Sequence, residues 1–152
     1  MTIRRPACLI DTNILVYAFD PSALEKQSRG LALLRALEAD MNGVLTVQVL
    51  GEFFRVVTQR ITVPLVRPEA QEIVHDLATS FTVLETTVAA ILEAARSAHG
   101  YSLSFWDGVI WATAKQNGVG YLLSEDMQTG RTIAGVQILN PLETAFDLAN
   151  LR

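Results

Sequence analysis

Short apolar runs alternate along this chain with longer stretches in which apolar residues recur at helical spacing. Strands are predicted over residues 7–10, 43–47, 81–85, 120–124 and 136–139. Helices are predicted over residues 13–19, 22–40, 48–60, 67–80, 87–100 and 104–118, with a last helix from Pro141. Because strands separated by helices pair in parallel, the sequence predicts an α/β fold, a three-layer α/β/α sandwich around a mostly parallel sheet.

The length and composition are those of one ordinary globular domain. The chain has 152 residues, 50% apolar and 18% charged, so we expect a single domain over residues 1–152. No apolar stretch reaches the roughly 18 residues that span a bilayer, and residues 1–6 lack the apolar segment of a signal peptide. We therefore expect a cytoplasmic protein. The lone cysteine, Cys8, lies in the first apolar run, which predicts a buried side chain without a disulfide.

The charge balance argues at first against a nucleic-acid partner, because the net charge is −4, from 16 acidic and 12 basic residues. If four carboxylates bind metal, however, the remaining 12 acids balance the 12 bases. Most of the bases are arginines, which suit bidentate contacts with phosphate, although a genome rich in G and C explains the same bias.

A polar triplet, Asp11, Thr12 and Asn13, interrupts an apolar run directly after the first predicted strand. In a parallel sheet Asp11 would lie at the carboxyl edge, where ligand sites form. A local explanation is equally good, because Asp11 or Asn13 can accept hydrogen bonds from the amides that begin the next helix.

Two acidic residues on predicted helices have a similar double interpretation. Glu52 belongs to a narrow polar stripe on an otherwise apolar helix, and this stripe either lines a cleft or faces solvent, with Glu52 paired to Arg55. Asp107 stands three residues after Ser104, which is the spacing of a capping box, although Glu or Gln is usual at the third position. In the same way, Ser22 is predicted to cap the helix over residues 22–40.

Asp126, beside Glu125, follows the fourth predicted strand as Asp11 follows the first. A polar loop is a sufficient explanation for one such residue, but neighbouring strands with matched acidic ends would bring their carboxylates together. Clustered carboxylates raise one another's pKa unless a cation is present. Oxygen ligands without His or Cys select Mg²⁺ or Mn²⁺, either of which can activate water against a phosphodiester.

Several stretches, in order along the chain, resemble the PIN domain family: CLIDTNILVY, VLGEFFRVV, LSFWDGVIWATAKQNG, LLSEDMQTGR and ILNPLE. They extend over nearly the whole chain, and their order is more specific than any one of them. The chain looks most like the VapC-type toxins of bacterial toxin-antitoxin pairs. The resemblance implies a PIN-like fold and an endoribonuclease dependent on Mg²⁺ or Mn²⁺, usually a homodimer held inactive by a cognate antitoxin protein.

The resemblance also implies particular site residues. Its catalytic and metal-binding residues are four carboxylates, Asp11, Glu52, Asp107 and Asp126. Its supporting polar residues are Thr12, Asn13 and Ser124. Gly108 departs from the family pattern, because the family often has Ala at this position. Glu125 leaves the last metal ligand open, because it could compete with Asp126 for the metal.

Two arginines, Arg55 and Arg131, lie near this proposed site and are candidates for contact with a substrate phosphate. Other functions also remain open, namely a PIN nuclease of RNA maturation, a PIN-like domain that only binds RNA or a partner, and a phosphate-receiver signalling domain that binds Mg²⁺. A receiver needs a phospho-accepting Asp after a central strand and a Lys after a late one. Neither Lys26 nor Lys115 follows a predicted strand, which favours the nuclease.

Overall fold

The computed structural model describes residues 5–151, in which six strands form one sheet and six helices accompany it. The strands are β1 (Cys8–Ile10), β2 (Gly43–Thr46), β3 (Thr82–Leu84), β4 (Tyr121–Leu123), β5 (Thr132–Ile133) and β6 (Val136–Leu139). The helices are α1 (Thr12–Ala18), α2 (Leu24–Ala39), α3 (Val47–Gln59), α4 (Arg67–Ser80), α5 (Val88–Ser97) and α6 (Phe105–Gln116). The predicted α/β fold is confirmed.

The sheet has the strand order β3-β2-β1-β4-β6-β5, and only the β5–β6 pair is antiparallel. From β1 the chain moves outward to β3, and it then crosses back to β4 on the other side of β1. Since crossovers between parallel strands are right-handed, this reversal puts α1 to α4 on one face and α5 and α6 on the other. The packing agrees, because α1 contacts α2 and α3, α3 contacts α4, and α5 contacts α6.

The reversal of strand order falls between β1 and β4, and a crevice forms at the carboxyl ends of strands at such a switch point. The register pairs Ile10 with Leu123, so Asp11 and Ser124 leave the sheet at the same level. The Asp11 amide donates a hydrogen bond to the Leu123 carbonyl at 2.9 Å. The fold therefore brings together the polar segments that follow β1 and β4.

The hydrophobic core lies on both faces of the sheet. Cys8 is buried in β1, as predicted, and α6 is buried over most of its length. Trp111 is the largest fully buried side chain, and its indole donates to the Ile133 carbonyl at 3.1 Å. Along residues 5–151, no helix is both long and apolar enough to cross a membrane.

The predicted cap of α2 is wrong. The amide and the hydroxyl of Ser22 both donate to Asp20 Oδ1, at 3.0 and 2.7 Å, so the side chain is used in a turn before the helix. The helix begins at Leu24, and its N-cap, Ala23, makes no side-chain hydrogen bond. Ser22 therefore hydrogen-bonds to Asp20 and does not cap the helix.

The predicted last helix from Pro141 is also wrong. Residues 141–145 form turns and a bend, and a short 3₁₀ helix follows at Leu148–Asn150. Asn140 Oδ1 accepts from the Leu142 amide at 3.0 Å, and Asp147 Oδ1 accepts from the Ala149 amide at 2.9 Å. These local bonds satisfy amides that a continuous helix would have paired.

Candidate active site

Asp11 directly follows β1 and is the N-cap of α1. Its Oδ1 accepts a hydrogen bond from the Thr12 amide, and its Oδ2 accepts one from the Ser124 hydroxyl, both at 2.7 Å. Asp11 is only 4% exposed. The local capping explanation is therefore correct, but capping uses one oxygen, and the other joins β1 to the segment after β4.

Asn13 and Ser124 hold those two segments together. Asn13 Nδ2 lies 3.3 Å from Ser124 Oγ and 3.4 Å from Asp11 Oδ2, and Asn13 Oδ1 accepts from the Glu125 amide at 3.3 Å. The Asp126 amide donates to Ser124 Oγ at 3.2 Å. The predicted supporting residues therefore position the backbone on both sides of the crevice.

Both oxygens of the Glu52 carboxylate are hydrogen-bonded. Oε2 accepts from the Thr12 hydroxyl at 2.7 Å, and Oε1 accepts from Gln48 Nε2 at 3.1 Å. Gln48 Nε2 also lies 3.4 Å from the Trp106 carbonyl. Glu52 is thereby tied to the first turns of α1 and α6, which favours the cleft interpretation of its polar stripe over a surface pair with Arg55.

Asp107 lies in the first turn of α6, and its amide donates to the Oγ of the N-cap, Ser104, at 3.2 Å. The next residue, Gly108, is in tight contact with α5, since a Cβ at this position would lie 2.5 Å from Ala98 Cβ. The departure from the family's usual Ala therefore has a packing cause. This close contact with α5 fixes the helix turn that carries Asp107.

A single cavity of about 430 Å³ is lined by all four predicted carboxylates. Its other lining residues are Thr12, Asn13, Val16, Tyr17, Asp20, Val56, Arg60, Ile61 and Thr62. The structure thus brings Asp11, Glu52, Asp107 and Asp126 to one place. Among residues 5–151, however, no three Asp, Glu, His or Cys side chains already form a compact metal-ligand cluster.

Burial, together with repulsion between the carboxylates, raises the pKa of two carboxyl groups in the cavity. The pKa of Asp11 is raised to about 7, first by burial and then by the negative charges of Asp107 and Asp126, against the hydrogen bonds described above. Burial also raises the pKa of Asp107, with contributions from the charges of Asp126 and Glu52. A shared cation would relieve this repulsion, and an all-oxygen donor set fits Mg²⁺ or Mn²⁺.

Glu125 is held outside the lining of the cavity. Its Oε1 accepts hydrogen bonds from Lys26 Nζ at 2.8 Å and from the Tyr17 hydroxyl at 3.3 Å. Lys26 Nζ also lies 4.4 Å from the centroid of the Tyr17 ring. Of the two neighbouring acids, Asp126 is the one that lines the cavity, which favours it as the last carboxylate of the site.

The two predicted phosphate contacts, Arg55 and Arg131, do not line the cavity. Arg55 is exposed on α3, whereas Arg131 donates to the Tyr101 carbonyl and lies 6.0 Å from the centroid of that ring. Arg60, the C-cap of α3, does line the cavity. It stands eight residues after Glu52, about 80° around the helix, whereas Arg55 is only about 60° away, so helical spacing in the sequence does not single out Arg60.

Comparison with known protein families gives one match along the sequence. The profile described as the PIN domain matches residues 8–132, a range that contains all four predicted carboxylates. A search of curated proteins finds no match.

Comparison with solved structures finds the same fold in several proteins. A toxin-antitoxin complex from Klebsiella pneumoniae matches with a TM-score of 0.62 and 18% identity, over 89% of this chain and 98% of that chain. VapC20 of Mycobacterium tuberculosis, a toxin that cleaves the sarcin-ricin loop, matches with a TM-score of 0.60 and 16% identity, over 79% and 90%. The DNA-bound VapBC complex of Salmonella typhimurium matches with a TM-score of 0.63 and 13% identity, over 90% and 98%. At these identities the likeness establishes the shared fold alone.

Proposed function

Because this chain belongs to the PIN domain family, we propose that it is an endoribonuclease that hydrolyses RNA phosphodiester bonds with Mg²⁺ or Mn²⁺. The observation that carries the proposal is the convergence of Asp11, Glu52, Asp107 and Asp126 on one cavity at the switch point of the sheet. Carboxylates gathered from four separate segments are hard to explain by capping or solubility alone.

In this proposal the four carboxylates are the catalytic residues and hold the divalent ion. When bound, such an ion supplies an activated water and stabilises negative charge on the leaving oxygen. The chain's own polar groups orient the carboxylates, because Ser124 donates to Asp11 and Thr12 donates to Glu52. Arg60 is the cavity residue suited to a bidentate contact with the substrate phosphate.

Analysis of the cleavage products tests this mechanism. Water is the nucleophile and the 3′-oxygen leaves, so a short labelled RNA should yield 5′-phosphate and 3′-hydroxyl ends in Mg²⁺ or Mn²⁺. EDTA and the variant Asp11→Asn should both abolish cleavage. Products with 2′,3′-cyclic phosphates would contradict the mechanism, since they require the 2′-hydroxyl as nucleophile.

We also propose that the chain is the toxin of a toxin-antitoxin pair, a cytoplasmic homodimer inhibited by a cognate antitoxin protein. The support is family membership together with the fold shared with VapC20 and with VapBC complexes. Expression in a bacterium should arrest growth, and co-expression of a small protein encoded immediately upstream should relieve the arrest. Light scattering should give the mass of a dimer.

The catalytic variant separates the toxin proposal from its alternatives. Asp11→Asn should be harmless to growth, whereas growth arrest by this variant would contradict a toxin that acts by cleavage. RNA cleavage without growth arrest, in a chain with no antitoxin gene beside it, would favour a role in RNA maturation.

A further inference from the structure

Two exposed aromatic side chains stand at the start of α6, on the helix turn that carries Asp107. Phe105 is 40% exposed and Trp106 is 53% exposed. Their ring centroids are 5.0 Å apart, in an edge-to-face arrangement. Both residues directly precede Asp107, so their backbone lies within one or two residues of a cavity carboxylate. These rings are therefore outside the core, on the helix turn that carries Asp107, and they do not line the cavity itself.

A hydrogen-bond chain fixes the position of Trp106 relative to the site. The Trp106 carbonyl accepts from Gln48 Nε2 at 3.4 Å, and the same nitrogen donates to Glu52 Oε1 at 3.1 Å. Asp107 follows on the same helix turn and is anchored by Ser104. The Trp106 backbone is thus held beside two carboxylates, whichever rotamer the exposed ring adopts.

The charges near the cavity leave little electrostatic attraction for RNA. The chain carries a net charge of −4, and the cavity is lined by five carboxylates against the single cation Arg60. Of the cations in residues 5–151, several are already in ion pairs: Arg5, Lys26, Arg29, Arg96 and Lys115. With Arg60 as the one cation in the cavity lining, a contact that does not involve phosphate would add to RNA binding. Stacking of an unpaired base on an aromatic ring provides one.

We propose that Trp106, with Phe105 at its edge, is a stacking platform for one unpaired nucleobase close to the scissile phosphate. This inference rests on the proposed ribonuclease function and adds a residue, Trp106, that binds an unpaired base of the substrate. A base inside a duplex is stacked on its neighbours and cannot lie on the ring. Binding should depend only weakly on salt, because few phosphates are neutralised.

Tryptophan fluorescence can test the platform without relying on cleavage. The chain has two tryptophans, and Trp111 is 0% exposed, so contact with RNA should quench Trp106 alone. We would titrate an unstructured oligoribonucleotide into the Asp11→Asn variant in Mg²⁺. Emission should fall, whereas a duplex of the same sequence should leave it unchanged. Adding Trp106→Phe, which keeps a ring, should remove the quenching while RNA still binds, somewhat more weakly.

Binding affinities give a second readout, measured by anisotropy of a labelled oligoribonucleotide. Trp106→Ala should raise the Kd about tenfold, which corresponds to about 1.4 kcal/mol, and Trp106→Phe should raise it less. Met41→Ala is the matched control, because it removes an apolar side chain that is 88% exposed at the amino edge of the sheet. This control should not change the Kd. The emission of Trp111 reports whether each Trp106 variant is folded.

Three outcomes overturn the platform. One is unchanged emission on addition of RNA, and another is an equal Kd for Trp106→Ala and the parent. The third is a change of Trp106 emission with protein concentration alone, which would assign the rings to an interface between copies of the chain. In each case, cleavage by the wild-type protein tells whether the nuclease proposal survives, so the two failures are distinguishable.

Discussion

Asp11 is buried, caps a helix and faces two other carboxylates, so its ionised form is unfavourable without a cation. With a pKa of about 7, the folded metal-free protein keeps this proton to near neutral pH, whereas the unfolded chain releases it near pH 4. Between these values the native state binds more protons than the unfolded state. The stability linked to this carboxyl is therefore fully present below about pH 4 and is lost as the pH rises through about 7.

Replacing Asp11 with Asn should remove this pH dependence. In EDTA at pH 8 we expect Asp11→Asn to be more stable than the wild type, by a few kcal/mol at most, at about 1.4 kcal/mol for each unit of the pKa difference. The advantage should shrink towards pH 5. Urea unfolding at both pH values measures it, and a wild type that is the more stable protein at pH 8 would show that the ionised carboxylate is well accommodated.

The arginine that meets the substrate phosphate can be identified by a matched pair of variants on α3. Arg60 lines the cavity and Arg55 does not, so Arg60→Ala should raise the KM for RNA about tenfold or more, and by a larger factor than Arg55→Ala. Steady-state cleavage kinetics measure both variants. A larger increase in KM for Arg55→Ala than for Arg60→Ala would assign the phosphate contact to Arg55.

From the sequence, the placement of a residue in the cavity could be predicted where a local pattern marks the position, whereas the catalytic roles stay predictions. Asp11 follows a strand directly and Asp107 follows a capping serine, and the structure places both in the cavity. Arg60 was missed because lining the cavity depends on where α3 ends in three dimensions. Ser22 was misassigned because Asp20, two residues away, offers its hydroxyl and amide a nearer acceptor.

At the scale of the elements, the α5–α6 contact sets the position of Asp107, and Gly108 makes this contact possible. Gly108→Ala should destabilise the protein by about 1–3 kcal/mol, although Ala is the better helix former, because the new Cβ overlaps Ala98. It should also lower the cleavage rate by shifting the first turn of α6.

Gly51→Ala is the control for this substitution. Gly51 is exposed within α3, and a Cβ there meets nothing within 4 Å, so this change should stabilise the protein by up to about 1 kcal/mol. Thermal unfolding of the two variants in parallel separates packing from helix propensity. A stabilising effect of Gly108→Ala would mean that α5 shifts to accommodate the new Cβ at little cost in free energy.

The elements that the sequence did not predict correctly are short or governed by local competition. The hairpin of β5 and β6 turns at Ala134 and Gly135, which both have positive φ, as a tight two-residue turn requires. A strand as short as Thr132–Ile133 shows no periodicity that can be detected. The longer helices and the apolar strands were predicted well, because burial on one or both faces imposes a clear pattern.

At the scale of the whole molecule, the alternation of strands and helices was sufficient to predict the α/β class. The strand order was not accessible in this way, because nothing in a local pattern says on which side of β1 the chain places β4. That placement creates the crevice between Asp11 and Asp126. The resemblance to a family, and not periodicity, predicted the PIN-like fold in which this crevice forms. The extent of the domain over residues 1–152 stays a prediction.

The most direct test of whether the four carboxylates share a divalent ion is to measure Mn²⁺ binding to the metal-free protein. Calorimetry and the electron paramagnetic resonance of the free ion both measure this binding. The wild type should bind Mn²⁺. Asp11→Asn and Asp126→Asn should each weaken binding strongly, while Glu125→Gln should not, because Glu125 is paired with Lys26. Equal binding by the wild type and a variant with all four carboxylates replaced would contradict the proposed site.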